Sequence, residues 1–512
     1  MENRGLVTTF IAFGDIRANG IRMISALIKT KGWDCYTVIY KLGYSKADLP
    51  SEKEEDILIA LLKDLKTDIV GLSVRTPFLT TAKKLTRRIK NELNALVVWG
   101  GSHPTIMPEE SLNDADIICI GEGEYPFLEL LQNSVDGKQI DSIQNLWIKK
   151  NGQLARNNLR PLLQRNDLDL LPFPDCGGED KYIIHNGKLI RGDPLTRTIE
   201  YYPMASRGCP FRCSFCINGV LKEIYHGCGP FVRFRSPENV VDEIVHILDR
   251  FSSVKRIRFQ DEVFPWNRNW IVDFSKDYKK RVGLPFLCTF HPNTISEEAV
   301  KTLKGAGLMV VGFGMQSPSA RIRKEVFQRT ETNKTILKSI EILHRNKLDG
   351  FYDIILDNPF ETEDDRKEGL DFLLKIPKPY NITAFSLKFF PGYKITREGL
   401  SRELVSESEI KATGSQGCFE MTYNWYSPRK REDIFWNCLY LLSARSTLPS
   451  HLVRLMSTSQ FLKKHTSFLV WFVKLDWYPE LLLIGARRLI RGQMSPQKFV
   501  RVVRSKILKQ TV

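Results

Sequence analysis

Ser206-Arg-Gly-Cys209-Pro-Phe-Arg-Cys213-Ser-Phe-Cys216 is the stretch around which the rest of this chain is organised. Three cysteines spaced C-x3-C-x2-C can hold three irons of a [4Fe–4S] cube and leave the fourth iron without a protein ligand. An electron-transfer ferredoxin closes its cluster with four cysteines. Zinc sites also close with four ligands, commonly as paired C-x2-C knuckles, and no second pair occurs in the sequence. An open iron can accept a small molecule. The competing reading is three buried thiols packed as small hydrophobes. Against it, the thiols lie in a loop broken by Gly208 and Pro210 rather than on a periodic apolar face.

At 512 residues the chain is long enough for roughly three domains, each with its own core. Composition is that of a globular protein, 42% hydrophobic and 26% charged, which argues against disorder. Ten cysteines scattered over this length are not a secreted disulfide framework. Met1-Glu-Asn-Arg-Gly lacks the charged-then-apolar pattern of a signal peptide. A cluster that needs reduction and the missing export signal together predict a cytoplasmic protein. The net charge of +16 is uneven: residues 421–512 hold sixteen Lys/Arg against four Asp/Glu. Such asymmetry suits an anionic partner or a solvated basic face on a helical domain.

From the start, apolar strand-like runs alternate with amphipathic helices. Val7–Phe13, Cys35–Tyr40, Asp68–Ser73, Ala95–Trp99 and Asp116–Ile120 read as strands, with helices over Ile21–Thr30, Glu52–Leu65 and Thr80–Leu93. This alternation predicts a doubly wound parallel sheet that binds ligands at the strands' C-terminal ends. Ser73, Gly100-Gly101 and Gly121-Glu-Gly-Glu124 lie at such ends, and Asp15-Ile-Arg17-Ala-Asn-Gly20 follows the first strand. Glycine at a strand exit also serves any tight turn.

Beyond this α/β domain, placed over residues 1–140, residues 141–194 read as a hairpin turning at Asn151-Gly152 and a Pro-rich linker, Leu168–Asp175. Residues 195–415 then repeat strand and helix. Arg256–Phe264 carries the carboxylate pair Asp261-Glu262, and Val310–Ser317 carries Gln316. Phe351–Leu356 leads into Asp357-Asn-Pro-Phe360-Glu361, and Phe385–Lys388 closes at Pro391-Gly392. Helices over Asn239–Leu248 and Asn333–Leu343 separate them, so a partial (β/α) barrel is predicted. Residues 416–512 read as a basic helical region with helices over Glu432–Ser443, Leu452–Leu462, Ser467–Leu475 and Gln497–Leu508. The run from Ser467 is too short to span a bilayer, and it suits either an interfacial helix or a cap on the barrel.

The cysteine spacing, the Arg207-Gly208 lead-in and Phe215 before the last cysteine resemble the radical S-adenosylmethionine (SAM) superfamily. The strand ends repeat that family's pattern in order. The resemblance implies that Cys209, Cys213 and Cys216 hold a [4Fe–4S] cluster whose free iron takes SAM, with Phe215, Glu262 and Gln316 as SAM contacts. Relatives often have Gly where this chain has Asp357 and Phe360. Gly100-Gly-Ser-His103 with Gly121-Glu-Gly-Glu124 resembles the cobalamin-binding-type domain fused ahead of many such enzymes. That implies cobalamin contacts at Asp15, Arg17, Gly20, Ser73, Gly100, Gly101 and Gly121. Arg17 stands where a cobalt-ligating histidine is found, and a guanidinium has no lone pair to offer. His103 reads as a turn cap or a ligand, and Cys228 as a plain thiol or a fourth ligand. At the barrel mouth His291 is the catalytic candidate, with Lys388 and Asp353 behind it.

The implied activity is cobalamin-dependent methylation of an unactivated carbon. A cyclisation, oxidation or rearrangement through the same SAM cleavage is the alternative, and a non-catalytic iron–sulfur protein is the reading from another class. The partners implied are a small-molecule or lipid-like substrate and an external flavodoxin- or ferredoxin-type electron donor. Nucleic acid is not among them, and the basic C-terminal region offers peripheral membrane contact.

Overall fold

The computed structural model describes residues 5–42, 49–150, 152–378, 380–415 and 432–490. Its first sheet has nine strands: β1 (Thr8–Phe13), β2 (Cys35–Tyr40), β3 (Ile69–Ser73), β4 (Leu96–Gly100), β5 (Ile117–Cys119), β6 (Leu146–Lys150), β7 (Gln153–Arg156), β8 (Lys181–His185) and β9 (Lys188–Arg191). They lie in the order β7-β6-β5-β4-β3-β1-β2-β8-β9. Strands β5, β4, β3, β1, β2 and β8 run parallel; β6, β7 and β9 join antiparallel at the two edges. All six residues of β1 are buried, as a strand covered on both faces requires. One face packs on Leu58, Leu62, Leu85 and Ile89 of the helices Glu52–Asp64 and Leu79–Glu92. The other packs on Ile21, Ile28, Phe127 and Leu130 of the helices Asn19–Lys29 and Glu124–Val135. Chain direction splits at β1, with β2 on one side and β3 on the other. A crevice opens there, outside the strands' C-terminal ends.

Residues 141–194, set apart in the sequence as hairpin and linker, fold largely onto this sheet. The register Lys150↔Gln153 leaves a two-residue turn; Asn151, half of the expected turn, lies outside the described residues. The sequence reading did not foresee β8 and β9 on the opposite edge. Asp175 anchors them, accepting from Ser25 Oγ and Lys29 Nζ at 2.6 Å each and pairing with the buried Lys181 at 2.7 Å. Of the expected Pro-rich linker, Leu168–Leu170 end a short helix, Arg165–Leu170, and the extended part begins at Leu171.

The second sheet contains β10 (Glu200–Tyr201), β13 (Arg256–Arg258), β14 (Phe286–Phe290), β15 (Leu308–Gln316), β16 (Asp349–Leu356) and β17 (Asn381–Ser386), in that order and all parallel. Each strand neighbours its predecessor, which gives an open, partial barrel. Ile257, Phe286, Phe290, Val311, Phe313, Tyr352 and Ile354 face the helices that wrap it. The alternate positions, Arg258, Gly312, Gly314 and Asp353 among them, face inward. Between β10 and β13 a short ribbon, β11 (Ser206–Arg207) against β12 (Arg233–Phe234), carries the chain into the cysteine loop. Strand β13 is shorter than expected because Asp261 leaves the ladder, accepting Ala205 N–H at 3.0 Å and the Ser206 hydroxyl at 2.5 Å.

In the C-terminal region, Phe435, Trp436, Cys438, Leu439 and Leu442 of the helix Asp433–Ser443 enter the barrel's core. Tyr440 donates to Arg366 O at 3.0 Å and lies over Gly369, where a Cβ would come within 2.6 Å of its hydroxyl. The single helix expected over Leu452–Leu462 is two, Ser450–Ser457 and Gln460–Lys464, because Ser459 caps the second. A last helix runs Thr466–Ile490; the one expected over Gln497–Leu508 lies outside the described residues. Among the described residues no helix is long and apolar enough to cross a membrane.

Candidate active site

The cysteine loop is shaped by its glycine and gripped from behind. Gly208 has φ 81°, and a Cβ there would lie 2.1 Å from the carbonyl oxygen of Phe231. Ser214 donates through N to Phe327 O at 3.1 Å and through Oγ to Val326 O at 2.6 Å. The three cysteines stand free of disulfides, Cys213 buried and Cys209 and Cys216 half-buried. Burial pushes the Cys209 thiol up to about 11 and the Cys216 thiol to about 12, with the Glu262 charge adding to each. Metal loading would therefore release protons here. Donors already face the sulfurs: Arg329 Nη1 lies 3.5 Å from Cys213 Sγ, and Asn218 Nδ2 lies 3.8 Å from Cys216 Sγ. Among the described residues no three His, Cys, Asp or Glu side chains converge on one point suited to a single ion. A cube asks instead that each thiol meet its own iron, and three thiols on one loop beside a permanent cation suit that anion.

Two cavities flank the loop. The first, about 360 Å³, is lined by Glu262, Gly208 and Asn218 from the barrel side. Glu262 opens into it yet is otherwise enclosed by protein, and burial raises its carboxyl above the ordinary value. Its neighbour Asp261 is the structural half of the pair, tied to Ala205 and Ser206 as described. The second cavity, about 260 Å³, is lined by Phe215, Gln316, Asp353, Phe385 and Lys388. Gln316 has φ 66°, and the β15–β16 register shifts beside it, which turns its side chain off the ladder. Burial pushes the Asp353 carboxyl up to about 7. Asp357 adopts φ 58°, the left-handed conformation that glycine takes most readily. Its carboxylate accepts from Ser386 and from Asn437 of the C-terminal helix. Phe360 is buried in a cluster with Phe389 and Tyr393.

The first domain supplies the other wall of the larger cavity. Gly20, Ser73, Gly100, Gly101 and Gly121, from four separate strand ends or the helix behind them, all line it. Gly101 has φ 98°, and a Cβ there would meet Val74 O at 3.0 Å. Bare backbone at these exits leaves a cradle suited to a large, flat ligand such as a corrin. Gly121-Glu-Gly-Glu124 does more: it docks the two domains. Tyr225 presses on Gly121, where a Cβ would lie 1.6 Å from its hydroxyl, and accepts Glu122 N–H at 2.7 Å. Glu124 holds Arg207 at 2.6 Å, and Glu122 holds Arg207 at 3.1 Å and Arg233 at 2.8 Å.

Several candidates lie elsewhere than the sequence suggested. Asp15 and Arg17 line neither of these cavities. Arg17 Nε pairs with Asp15 at 3.0 Å, and Nη1 donates to Gln260 Oε1 at 2.6 Å across the domain boundary. Burial favours the neutral Asp15 carboxyl, but the Arg17 and Arg75 guanidiniums together hold it below its ordinary value. His291 also lines neither of these cavities. Its ring stacks on Phe211 of the cysteine loop, centroids 3.5 Å apart, with Nε2 3.3 Å from Glu331. Burial lowers its pKa, so it acts as a neutral support beneath the loop. His103 is fully buried, with Nδ1 3.1 Å from Thr76 Oγ1. Cys228 is half-buried, its backbone tying Tyr225 to Leu162. Sequence reading missed Asn218, Arg329, Gln260 and the Arg207–Glu124 pair. Only that pair carried a signal, Arg207 in the Arg-Gly lead-in and Glu124 in Gly121-Glu-Gly-Glu124, though neither motif showed that the two meet.

Residues 204–373 match the Radical SAM superfamily model, and residues 7–131 match the B12 binding domain model. An uncharacterized methyltransferase of Pyrococcus horikoshii is 27% identical over 350 residues, 67% of this chain and 72% of the relative. The anaerobic magnesium-protoporphyrin IX monomethyl ester cyclase of Cereibacter sphaeroides is 29% identical over 300 residues, covering 55% of this chain and 45% of the cyclase. The chain thus spans under half the length of that enzyme. In fold, it matches the radical SAM methyltransferase TsrM of Kitasatospora setae, solved with cobalamin and a [4Fe–4S] cluster. The TM-score there is 0.60 at 14% identity, over 78% of each chain. It also matches the cobalamin-dependent radical enzyme OxsB, with TM-score 0.63 at 15% identity over 99% of this chain and 75% of the other. The cofactor set of these domains is a [4Fe–4S] cluster, SAM and cobalamin. The chain is a radical SAM superfamily enzyme built on an N-terminal B12-binding domain.

Proposed function

We propose that this enzyme methylates an unactivated carbon of a small-molecule or lipid-like substrate, using SAM and cobalamin. The observation that carries the reading is the shared cavity: glycine-lined strand ends of the B12-binding domain face Gly208, Asn218 and Glu262 of the barrel across about 360 Å³. When bound, the cluster supplies the electron that cleaves SAM, and cobalamin supplies a methyl carrier. The residues supply placement. Cys209, Cys213 and Cys216 hold the cluster, and Asn218 and Arg329 donate to their sulfurs. Glu262 offers a carboxylate to the SAM ammonium. Gln316 and Phe215 shape the neighbouring cavity around the nucleoside. Gly20, Ser73, Gly100, Gly101 and Gly121 bring backbone close to the corrin. The Tyr225–Glu122 and Arg207–Glu124 contacts hold the two cofactor walls together.

An external electron donor of flavodoxin or ferredoxin type, a cytoplasmic setting and contact with a membrane surface belong to this reading. A cyclase is the second reading, favoured by the identity to the magnesium-protoporphyrin cyclase. Anaerobic reconstitution with SAM and a reductant separates the two by mass spectrometry. Methylation yields S-adenosylhomocysteine together with 5′-deoxyadenosine, whereas 5′-deoxyadenosine alone would overturn it in favour of the cyclase type.

A further inference from the structure

The C-terminal helices are apolar on two sides. Val453, Leu462, Leu469 and Val473 are buried in the core they share with the barrel. On the other side Leu455, Phe461, Phe468, Trp471 and Leu475 are exposed, Leu455 at 67%, Phe461 at 61% and Trp471 at 56%. Phe468, Trp471 and Leu475 stand at i, i+3 and i+7 of the helix Thr466–Ile490, so they share one face. Leu482, exposed two turns on, extends it. Large side chains repeated along a free face in this way mark a surface made to be covered.

Charge decides what covers it. Lys464 is exposed beside the face, within a region of sixteen Lys/Arg against four Asp/Glu; Lys463 is turned away, paired with Glu363 at 2.9 Å. A second copy seated here would set like charge against like charge. Residues 491–512, with six Lys/Arg and no Asp/Glu, would do the same if they folded back. The cover must therefore be anionic and must also accept Phe, Trp and Leu, which an anionic lipid surface does. No described helix is suited to crossing a membrane, so the face lies on the surface.

We propose that Leu455, Phe461, Phe468, Trp471 and Leu475 dock this enzyme on an anionic lipid surface, apolar side chains in the headgroup boundary and the basic excess of the C-terminal region matched to the phosphates. The inference gives a location to the membrane contact included in the function above, and it rests on none of the radical chemistry. The full chain, reconstituted anaerobically, is sedimented with phosphatidylcholine vesicles with and without phosphatidylglycerol. Binding is expected only with phosphatidylglycerol, and it should weaken as salt is raised. The variant Phe468→Ser/Trp471→Ser/Leu475→Ser should lower partitioning by about tenfold or more while SAM cleavage in solution is unchanged. Leu455→Ser/Phe461→Ser, on the neighbouring helices, serves as the second variant should the first fold poorly. Undiminished binding by both variants would assign the interaction to the basic residues alone and overturn the proposal. So would failure to bind phosphatidylglycerol vesicles, or a dimer that the same substitutions abolish. Lost vesicle binding with SAM cleavage intact leaves the catalytic reading standing.

Discussion

Arg17 of the first domain donates to Gln260 of the barrel at 2.6 Å, one residue before the Asp261-Glu262 pair. The Arg17 guanidinium is thus engaged in joining the domains. Protein loaded with Co(II) cobalamin is expected to show a paramagnetic resonance spectrum without nitrogen splitting from an axial side chain. Such splitting would refute the arrangement. Arg17→Ala and Gln260→Ala should each weaken the interface by about 1–3 kcal/mol, with the double variant little worse than either single, because both remove the same bond.

Cys209→Ala, Cys213→Ala and Cys216→Ala are each expected to abolish SAM cleavage and strip most of the iron, because none of the three ligands has a substitute within the loop. Cys228→Ala should keep both. Iron and sulfide analysis after anaerobic reconstitution reads the difference, and a full iron complement in a Cys213→Ala protein would defeat the ligand set.

Glu262→Ala and Gln316→Ala should retain the cluster's absorption and weaken SAM binding by about 1–3 kcal/mol each, the range for a lost hydrogen bond to a charged or buried group. Their cavities differ, so the two losses should add. Isothermal titration of SAM into the reconstituted protein measures both; unchanged affinity in either variant removes that residue from the site.

Local order was the legible part of this fold. Cys35–Tyr40 could be read to its ends because an apolar β-branched run stands between polar turns, and β2 occupies those residues. Strand β9 escaped notice because it is a short edge strand and Lys188–Arg191 is exposed along its whole length, so no buried stripe records it; β8 beside it is only five residues long. The glycines of the shared cavity announced themselves at strand exits. The contacts that make one site of two domains left no periodic trace: Arg207 and Glu124 are 83 residues apart, and Arg17 and Gln260 are 243 apart. His291 shows the same limit. Its place at a strand end is identical whether the ring looks into the barrel or lies under Phe211, and only packing decides.

The Arg207–Glu124 pair predicts how the domain joint responds to acid. Burial alone would raise the Glu124 carboxyl, but Arg207 outweighs it and holds the folded-state pKa below the ordinary 4.5. A carboxyl depressed on folding contributes stability in full above its unfolded pKa and loses it as pH falls through the folded value. The joint should therefore be insensitive to pH above about 5 and loosen below about 4. Glu124→Gln should remove that acid-dependent step and weaken the joint at neutral pH. Arg207→Ala should cost more at neutral pH, about 3 kcal/mol, because it strands the Glu124 charge in a largely closed cavity wall. Limited proteolysis of the 141–194 segment against pH reports the loosening. An identical acid profile in wild type and Glu124→Gln would show that other carboxylates control the joint.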